Sequence, residues 1–393
     1  MAVSEFLLFG VFAALIVFVI TLLMNYIKQP YVIGYIIAGM IIGPFGFSML
    51  EKTPFVDLTA EIGIILLLFF IGMEISISKI ISSWKVAVFG TISQIILSVL
   101  AVFFVGSFFD WSFQRILLVG FVISISSTAV AMKLLESWNE LSTAVGQNVL
   151  SILLIQDLLI VPMLILLNFM SGQGKTGNFQ LSIIGTIMVV LTFIVAMFIR
   201  RKKVMNVLVG KLEKDYDLQI FAAIILCFGL ASIALFFQLS AALGAFLAGI
   251  LVAESRVTHW VVKNLEPFRA LFVAVFFIYI GLIFDLSFLF SNFLIIGLIT
   301  LAVFVTNNII NTVILMMLGN SRKESIYAGA LLAQIGEFSF LLGTAGYSIG
   351  FIEESGYKLI ISVICMALLL SPLWILMVRK LLRINNEPKF IEM

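Results

Sequence analysis

The sequence predicts an all-α polytopic membrane protein, and three observations support that fold class. The chain has 393 residues, of which 62% are hydrophobic and only 11% are charged, whereas soluble domains average about 25% charged residues. Apolar stretches of about 20 residues recur along the whole chain, as helices that cross a bilayer require. These stretches lack the short alternating strands of a transmembrane β-barrel.

Thirteen apolar segments are predicted to cross the membrane. The first follows Glu5, has no basic residue before it and lacks a small-residue cleavage site after it. It is therefore interpreted as a retained helix and not as a signal peptide. The segments cover residues 5–27, 30–48, 58–74, 85–109, 112–135, 143–169, 179–199, 217–237, 239–254, 266–284, 287–318, 324–347 and 357–382.

The distribution of basic residues supports this count and predicts an orientation. Cytoplasmic connections of membrane proteins collect Lys and Arg. If the N-terminus lies outside and the C-terminus inside, 19 of the 23 Lys and Arg residues fall on the cytoplasmic side. The exceptions are Lys52, Arg115, Lys175 and Lys358. We therefore expect a multi-pass protein of the cell membrane with a cytoplasmic C-terminus.

The two halves of the chain resemble each other at an offset near 210 residues. Gly34–Gly39 parallels Gly244–Gly249, and Phe69–Gly72 parallels Ile278–Gly281. The offset spans seven segments, an odd number, so the repeated helices must cross in opposite directions. Inverted repeats are typical of secondary transporters, whose site lies near the midplane. The predicted parts are a first repeat with helices 1–6 (1–178), a linker helix with a basic cytoplasmic loop (179–216), and a second repeat with helices 8–13 and a short tail (217–393).

Segments 5 and 12 are predicted to be interrupted helices. Segment 5 contains the polar run Ser126–Thr128, and segment 12 contains Gln334–Glu337, with Thr128 and Glu337 209 residues apart. Polar side chains can replace backbone hydrogen bonds where a membrane helix is broken. The ends of the half-helices then present partial charges to a central cavity. The alternative is a pair of continuous helices whose hydroxyls bond to their own carbonyls.

Asp157 lies in the middle of segment 6, where a charged side chain is costly and therefore usually functional. Together with Gln156, Ser126, Ser127 and Thr128 it offers oxygen ligands of the kind that hard monovalent cations such as Na⁺ and K⁺ prefer. Burial raises the pKa of a carboxyl group and a bound cation lowers it. One carboxylate can therefore hold a proton and a cation alternately. The alternative role for Asp157 is a buried ion pair that joins helices.

Four further polar residues are predicted to support the site. Asn307 and Asn308 in segment 11 can bridge helices or face the cavity, and bridging is the simpler role. Glu337 either contributes to the ion path or caps the break, and Gln334 lies on the same interruption. No enzyme or cofactor motif is expected, since phosphate-binding and nucleophile-elbow patterns are lacking. The expected partners are the lipid bilayer and the transported ions, with no nucleic acid.

Several of these motifs, together with Pro267–Arg269 and Phe276–Gly281, resemble the monovalent cation:proton antiporter superfamily over nearly the whole chain. They are most similar to the branch of the Kef potassium efflux systems and the spore-germination antiporters. The resemblance implies a sodium/proton antiporter fold of 13 helices in two inverted six-helix repeats with crossed discontinuous helices. It also implies a homodimer, and an aspartate on the sixth helix, here Asp157, as the shared carrier of cation and proton.

Two departures from the electrogenic members of that superfamily affect the predicted stoichiometry. Those relatives have a second aspartate where this chain has Gln156, and a lysine near the position of Asn307. We therefore expect one-for-one, electroneutral exchange of K⁺ or Na⁺ for protons. The regulatory nucleotide-binding domain of the Kef systems is not expected in this chain. A cation channel or a sodium-coupled symporter on a related scaffold is the alternative function.

Overall fold

A computed structural model of the chain describes residues 3–27, 29–50, 53–74, 85–171, 216–236, 241–253 and 258–384, and all regular secondary structure in those ranges is helical. A short π-helical turn, Lys85–Phe89, leads into the fourth helix. The helices are α1 (Val3–Tyr26), α2 (Tyr31–Ile42), α3 (Pro54–Glu74), α4 (Gly90–Ser107), α5 (Phe113–Ser124), α6 (Thr128–Ser137), α7 (Ala144–Met170), α8 (Tyr216–Phe236), α9 (Ala241–Ala253), α10 (Thr258–Ile283), α11 (Leu286–Ser291), α12 (Phe293–Met317), α13 (Arg322–Leu331), α14 (Ser339–Ser348) and α15 (Glu354–Leu381).

Among the described residues, six helical stretches are long and apolar enough to cross a membrane. They are 85–107, 113–137, 144–170, 218–236, 293–317 and 354–381. Shorter apolar helices cover 10–26, 31–42 and 267–283. The predicted segment 179–199 and the basic loop after it lie outside the described residues. The part of the chain that the structure describes is therefore that of a helical membrane protein, while the count of thirteen helices stays a prediction.

Three predicted segments differ most from the helices observed. Segment 2 was expected to reach residue 48, but α2 ends at Ile42 and a turn follows. Segment 10 was expected to begin at residue 266, but α10 begins at Thr258, so that His259 is helical and not part of a connection. Segment 11 is divided at Asn292 into α11 and α12. An apolar run predicts the part of a helix that lies inside a bilayer. The ends of the helix depend on backbone hydrogen bonds, so they can fall before or after the ends of the apolar run.

The chain divides into two compact units. One unit contains Met1–Glu51, Ser78–Ser171 and Ile280–Met393, and the other contains Lys52–Ile77 and Gly172–Tyr279. The second unit has an apolar core in which Phe69 of α3 packs with Cys227 of α8 and Ala248 of α9. The first unit holds both predicted interruptions, so the geometry of the site can be described within it alone.

Glycine residues allow helices to approach closely at two matching places. In one unit, a Cβ on Gly249 would lie 2.1 Å from the carbonyl oxygen of Phe69 and 2.8 Å from the Cα of Gly72. In the other, a Cβ on Gly281 would lie 2.1 Å from the carbonyl oxygen of Ile36 and 2.8 Å from the Cα of Gly39. The helices at these points are in backbone contact, which only glycine permits. The two contacts are related by the offset near 210 on which the predicted repeat rests.

Candidate ion-binding site

The first predicted interruption is present between α5 and α6. Ile125 and Ser127 have extended backbones, with φ −89° and ψ 122° at Ile125 and φ −79° and ψ 113° at Ser127. The hydroxyl of Ser127 then accepts a hydrogen bond from the N–H of Val130 at 3.3 Å and caps α6. Serine is a favoured residue at this position because its short side chain satisfies one of the free N–H groups of the first turn.

The second interruption separates α13 from α14 and crosses the first at Gly336. The N–H of Gly336 donates to the carbonyl of Ile125 at 2.7 Å. A Cβ on Gly336 would lie 2.5 Å from the carbonyl oxygen of Ser126 and 3.1 Å from the nitrogen of Ser127. Two non-helical segments therefore pass each other in backbone contact, and glycine is the residue that fits.

Polar side chains from each interruption satisfy backbone groups of the other. The hydroxyl of Ser126 donates to the carbonyl of Leu332 at 2.7 Å, and the amide of Gln334 donates to the carbonyl of Ser127 at 3.2 Å. The hydroxyl of Ser339 donates to the carbonyl of Val122 at 2.7 Å. The hydroxyls of Ser126 and Ser339 replace helix hydrogen bonds that the breaks have removed. The carbonyl of Ser127 accepts from Gln334 in addition to the N–H of Ala131, which lies 3.2 Å away.

Asn307 of α12 joins the carboxyl ends of the two half-helices that lead into the crossing. Its side-chain nitrogen donates to the carbonyl of Ile123 at 2.7 Å and to that of Ala333 at 3.2 Å, and the residue is fully buried. The carboxyl end of a helix carries partial negative charge. The neutral amide of Asn307 therefore bonds to two helix carboxyl ends at the centre of the site. This is the bridging role that the sequence predicted for it.

Asn308 and Asn311 contact other parts of α12 and its neighbour. The side-chain oxygen of Asn308 accepts from the hydroxyl of Thr312 at 3.2 Å and lies against Gly329 of α13. The side-chain nitrogen of Asn311 donates to the carbonyl of Asn307 at 2.9 Å. Asn308 was proposed as a supporting residue of the site, and the structure places it in the packing of α12 on α13.

The side chain of Gln156 is directed at the first break. Its oxygen accepts from the N–H of Ser126 at 2.9 Å, and its nitrogen donates to the side chain of Gln94 at 2.8 Å and to the carbonyl of Ser124 at 3.2 Å. Gln94 donates to the same carbonyl at 3.0 Å. The oxygen of Gln156 is thus occupied in this structure, and its role as a cation ligand stays a prediction.

Gln94 was missed by the sequence reasoning, which treated segment 4 as an ordinary apolar helix. It is fully buried on α4, and its amide forms a pair with that of Gln156. A glutamine inside a long apolar helix is the signal that could have identified it, because a buried amide needs hydrogen-bond partners.

Asp157 lies on α7 beside the start of α6. Its Oδ2 accepts a hydrogen bond from the hydroxyl of Thr128 at 3.0 Å. Its Oδ1 is buried, and no hydrogen-bond donor in the described part of the chain reaches it. The residue as a whole is half-buried. One carboxylate oxygen therefore has a hydrogen-bond partner among the described residues, and the other has none.

Glu337 is a second buried carboxylate at the same helix end. Its Oε2 accepts from the hydroxyl of Ser127 at 2.5 Å, and the residue is 7% exposed. The adjacent residues Ser127 and Thr128 therefore each donate to a different carboxylate, Glu337 and Asp157. The amino end of α6, which carries partial positive charge, is thus bracketed by two acidic side chains.

Comparison with known proteins identifies relatives along most of the chain. The family model described as "Sodium/hydrogen exchanger, transmembrane" matches residues 13–378. The chain is 34% identical over 366 residues to the iron transporter MagA of Paramagnetospirillum magneticum, covering 92% of this chain and 83% of MagA. It is 30% identical over 352 residues to K(+) efflux antiporter 4 of Arabidopsis thaliana, covering 88% of this chain and 59% of the relative's length. The expected resemblance to the cation:proton antiporters and their Kef-type branch is confirmed.

A solved structure shares the fold. The sodium proton antiporter MjNhaP1 from Methanocaldococcus jannaschii superimposes with a TM-score of 0.68 at 17% identity, covering 97% of this chain and 99% of that one. At this level of identity the match shows the fold alone, which is that of a sodium/proton antiporter, while the thirteen helices and the two inverted repeats stay predictions.

Proposed function

We propose that this chain, which belongs to the sodium/hydrogen exchanger family of membrane transporters, exchanges K⁺ or Na⁺ for protons by alternating access, with Asp157 as the shared carrier. The observation that supports this role most directly is the state of its carboxylate. One oxygen is held by Thr128 at 3.0 Å and the other is buried without a donor in the described residues. A proton or a monovalent cation would bind to this second oxygen of the same carboxylate.

The chemistry of exchange follows from this competition. A cation and a proton occupy the same carboxylate, so that binding of one displaces the other. The hydroxyl oxygen of Thr128 can serve as a further hard ligand to the cation. Ser126 and Ser127 have their hydroxyls engaged with Leu332 and Glu337, and in this proposal they hold the crossing in shape.

Electroneutral exchange is supported by the two neutral amides at the site. Gln156 binds the backbone of the first break through its side chain, and Asn307 receives the carboxyl ends of two half-helices. Neither group gains or loses charge during transport. Asp157 then exchanges one proton for one cation, while Glu337 serves as a partner of Ser127 that positions α6.

The remaining features of the proposal concern the whole transporter. The excess of basic residues on one side supports an outside N-terminus and a cytoplasmic C-terminus. A homodimer is expected from the resemblance. A sodium-coupled symporter would need a cavity for an organic substrate, and a channel would need a repeated filter sequence, which the sequence lacks.

The experiment is proton movement in proteoliposomes, followed with a pH-sensitive dye after addition of K⁺, Na⁺, Li⁺ or choline. The proposal expects proton release with K⁺ or Na⁺, none with choline, and loss of the response in Asp157→Asn. Glu354→Gln is a suitable control, since Glu354 is an exposed carboxylate paired with Lys358. Full activity of Asp157→Asn would refute the carrier assignment. Charging of the vesicles at zero initial potential would refute one-for-one exchange.

A further inference from the structure

A buried charged cluster joins the far end of α6 to the middle of α13, and both are half-helices that lead to the crossing. Glu140 follows α6, and its Oε1 is 3.0 Å from Nη2 of Arg379 near the end of α15. Its Oε2 accepts from the hydroxyl of Tyr327 on α13 at 2.6 Å. The guanidinium carbon of Arg379 lies 4.0 Å from the ring centroid of Trp138. We call Glu140, Arg379, Tyr327 and Trp138 the Glu140 cluster.

Stability alone does not explain why charges are buried here. Glu140 is 4% exposed and Arg379 is 6% exposed. Removing two charges from water costs about as much free energy as their attraction returns, so a buried pair is weak support for stability. The geometry of the pair is highly specific, because the planar guanidinium stacks on an indole face while it pairs with the carboxylate.

The backbone around Glu140 holds this carboxylate in a defined place. The N–H of Glu140 donates to the carbonyl of Leu135 at 2.8 Å. Its carbonyl accepts from the hydroxyl of Thr143 at 2.7 Å. A Cβ on Gly146 would lie 2.1 Å from that same carbonyl oxygen. The turn between α6 and α7 is thus tightly packed, and its hydrogen bond to Leu135 fixes Glu140 relative to the end of α6.

The cluster joins the same two half-helices that the crossing joins. α6 has ten residues between the first break and the turn that holds Glu140. α13 has ten residues, contains Tyr327 and leads into the second break. Ten helical residues are about 15 Å long. The two half-helices are therefore connected twice, once through Glu140 and Tyr327 and once at the crossing, where Gln334 after α13 donates to the carbonyl of Ser127 before α6.

We propose that Glu140 is a positioning residue for exchange, which acts through Tyr327 and Arg379 to hold the crossing in the geometry at which Asp157 takes its cation. This inference rests on the proposed function, because it assigns Glu140 an effect on cation binding at Asp157. It also makes a prediction about the crossing itself, which can be measured without transport. Loss of the contacts of Glu140 should loosen the hydrogen bond between Gly336 and Ile125.

The first measurement is amide hydrogen exchange in lipid nanodiscs, comparing wild type with Glu140→Gln in peptides that cover residues 123–130 and 332–340. We expect exchange in these peptides to be at least about fivefold faster in the variant. The matched control is Ile375→Ala. Ile375 is fully buried on α15, one turn before Arg379, so the control destabilises the same helix without removing a contact of Glu140. Its two peptides should exchange as in wild type.

The second measurement is the KM for the cation in proteoliposomes, which does not depend on the amount of folded protein. We expect Glu140→Gln to raise the KM about fivefold or more and Ile375→Ala to leave it unchanged, because a purely structural residue alters the amount of folded protein and not its affinity. If Glu140→Gln fails to fold, Tyr327→Phe provides the same test, since it removes one donor and keeps the ring and the ion pair.

The two measurements separate this inference from the function on which it rests. Absence of cation-dependent proton movement in wild type would refute the proposed function, and the exchange data would still test the link between Glu140 and the crossing. If wild type is active and Glu140→Gln matches Ile375→Ala in both hydrogen-exchange rate and KM, the role of Glu140 is refuted and the proposed function is not.

Discussion

Replacement of Gly336 by alanine should disrupt the crossing of the two interrupted helices. The added Cβ would lie 2.5 Å from the carbonyl oxygen of Ser126 and 2.7 Å from its carbonyl carbon. Both distances are far inside van der Waals contact. The atoms that it meets belong to the backbone, which cannot rotate away as a side chain can. The segment that contains Gly336 must therefore move.

The expected cost combines two contributions. Overpacking of a tightly packed site costs about 1–3 kcal/mol. The displacement also lengthens the hydrogen bond from Gly336 to Ile125, now 2.7 Å, and such a bond contributes about 0.5–1.5 kcal/mol net. We expect Gly336→Ala to lower the free energy of unfolding by about 1.5–4.5 kcal/mol from these two sources. Proton–cation exchange should fall with it, because Asp157 is positioned at the same break.

Thermal unfolding in detergent can be followed with a thiol-reactive dye. Cys227 and Cys365 are free and buried, so the dye reports on protein that has opened. The matched control is Gly297→Ala, since a Cβ at Gly297 of α12 meets no atom within 4 Å. The control should be neutral or stabilising by up to about 1 kcal/mol, because alanine favours helix over glycine. If Gly336→Ala melts and transports as the control does, the geometry of the crossing described above is incorrect.

Three further predictions concern the site and Asp285, which caps the start of α11. Gln156→Leu removes the hydrogen-bond partner of several buried polar groups, and each group left unsatisfied costs about 1–3 kcal/mol. The variant should therefore melt at a lower temperature than wild type in the same dye assay. An unchanged melting temperature would contradict the role given to this amide. Thr128→Val removes the hydroxyl that donates to Asp157, and a hydrogen bond to a charged group contributes about 1.5–3 kcal/mol. The cation KM should therefore rise about 10–100-fold in this variant and stay near the wild-type value in Thr128→Ser. Equal KM values for the two variants would argue against the contact. Burial by itself raises the pKa of Asp285, but hydrogen bonds from the backbone of Phe288 and from Lys358 outweigh it and leave this pKa below its usual value. The carboxylate of Asp285 therefore stabilises the fold above the unfolded pKa of about 3.9, and this stabilisation is lost as the pH falls through the folded pKa. Between pH 6 and pH 3 the melting temperature should fall less for Asp285→Asn than for wild type. Equal decreases for the two proteins would refute this prediction.

The interruptions of segments 5 and 12 could be predicted because they are local. Ser126–Thr128 and Gln334–Glu337 place several polar groups inside apolar helices, and a broken helix is the structure in which such groups find backbone partners. Gly336 lies within the second run, and its need for glycine follows from contact with Ser126. The polar residues identified the breaks, and the structure shows which atoms meet there.

Contacts between distant segments could not be predicted in the same way. Arg379 entered the sequence reasoning only as a basic residue on the cytoplasmic side, yet it pairs with Glu140, 239 residues away. Gln156 was expected to face the ion with Asp157, its neighbour on α7. Successive helical residues point about 100° apart, so the two side chains face different partners, and the amide reaches the break at Ser126.

The neutral amide of Asn307 between two helix ends has a consequence for how transport would respond to membrane voltage. Moving one elementary charge across the membrane costs or releases about 2.3 kcal/mol per 100 mV. If Asp157 is neutralised by a proton in one direction and by a cation in the other, and Asn307 adds no charge, the work done against the voltage is the same both ways and cancels over a cycle. The exchanger would then respond to the ratios of proton and cation concentrations alone, and an energised cell and a depolarised one would drive it equally.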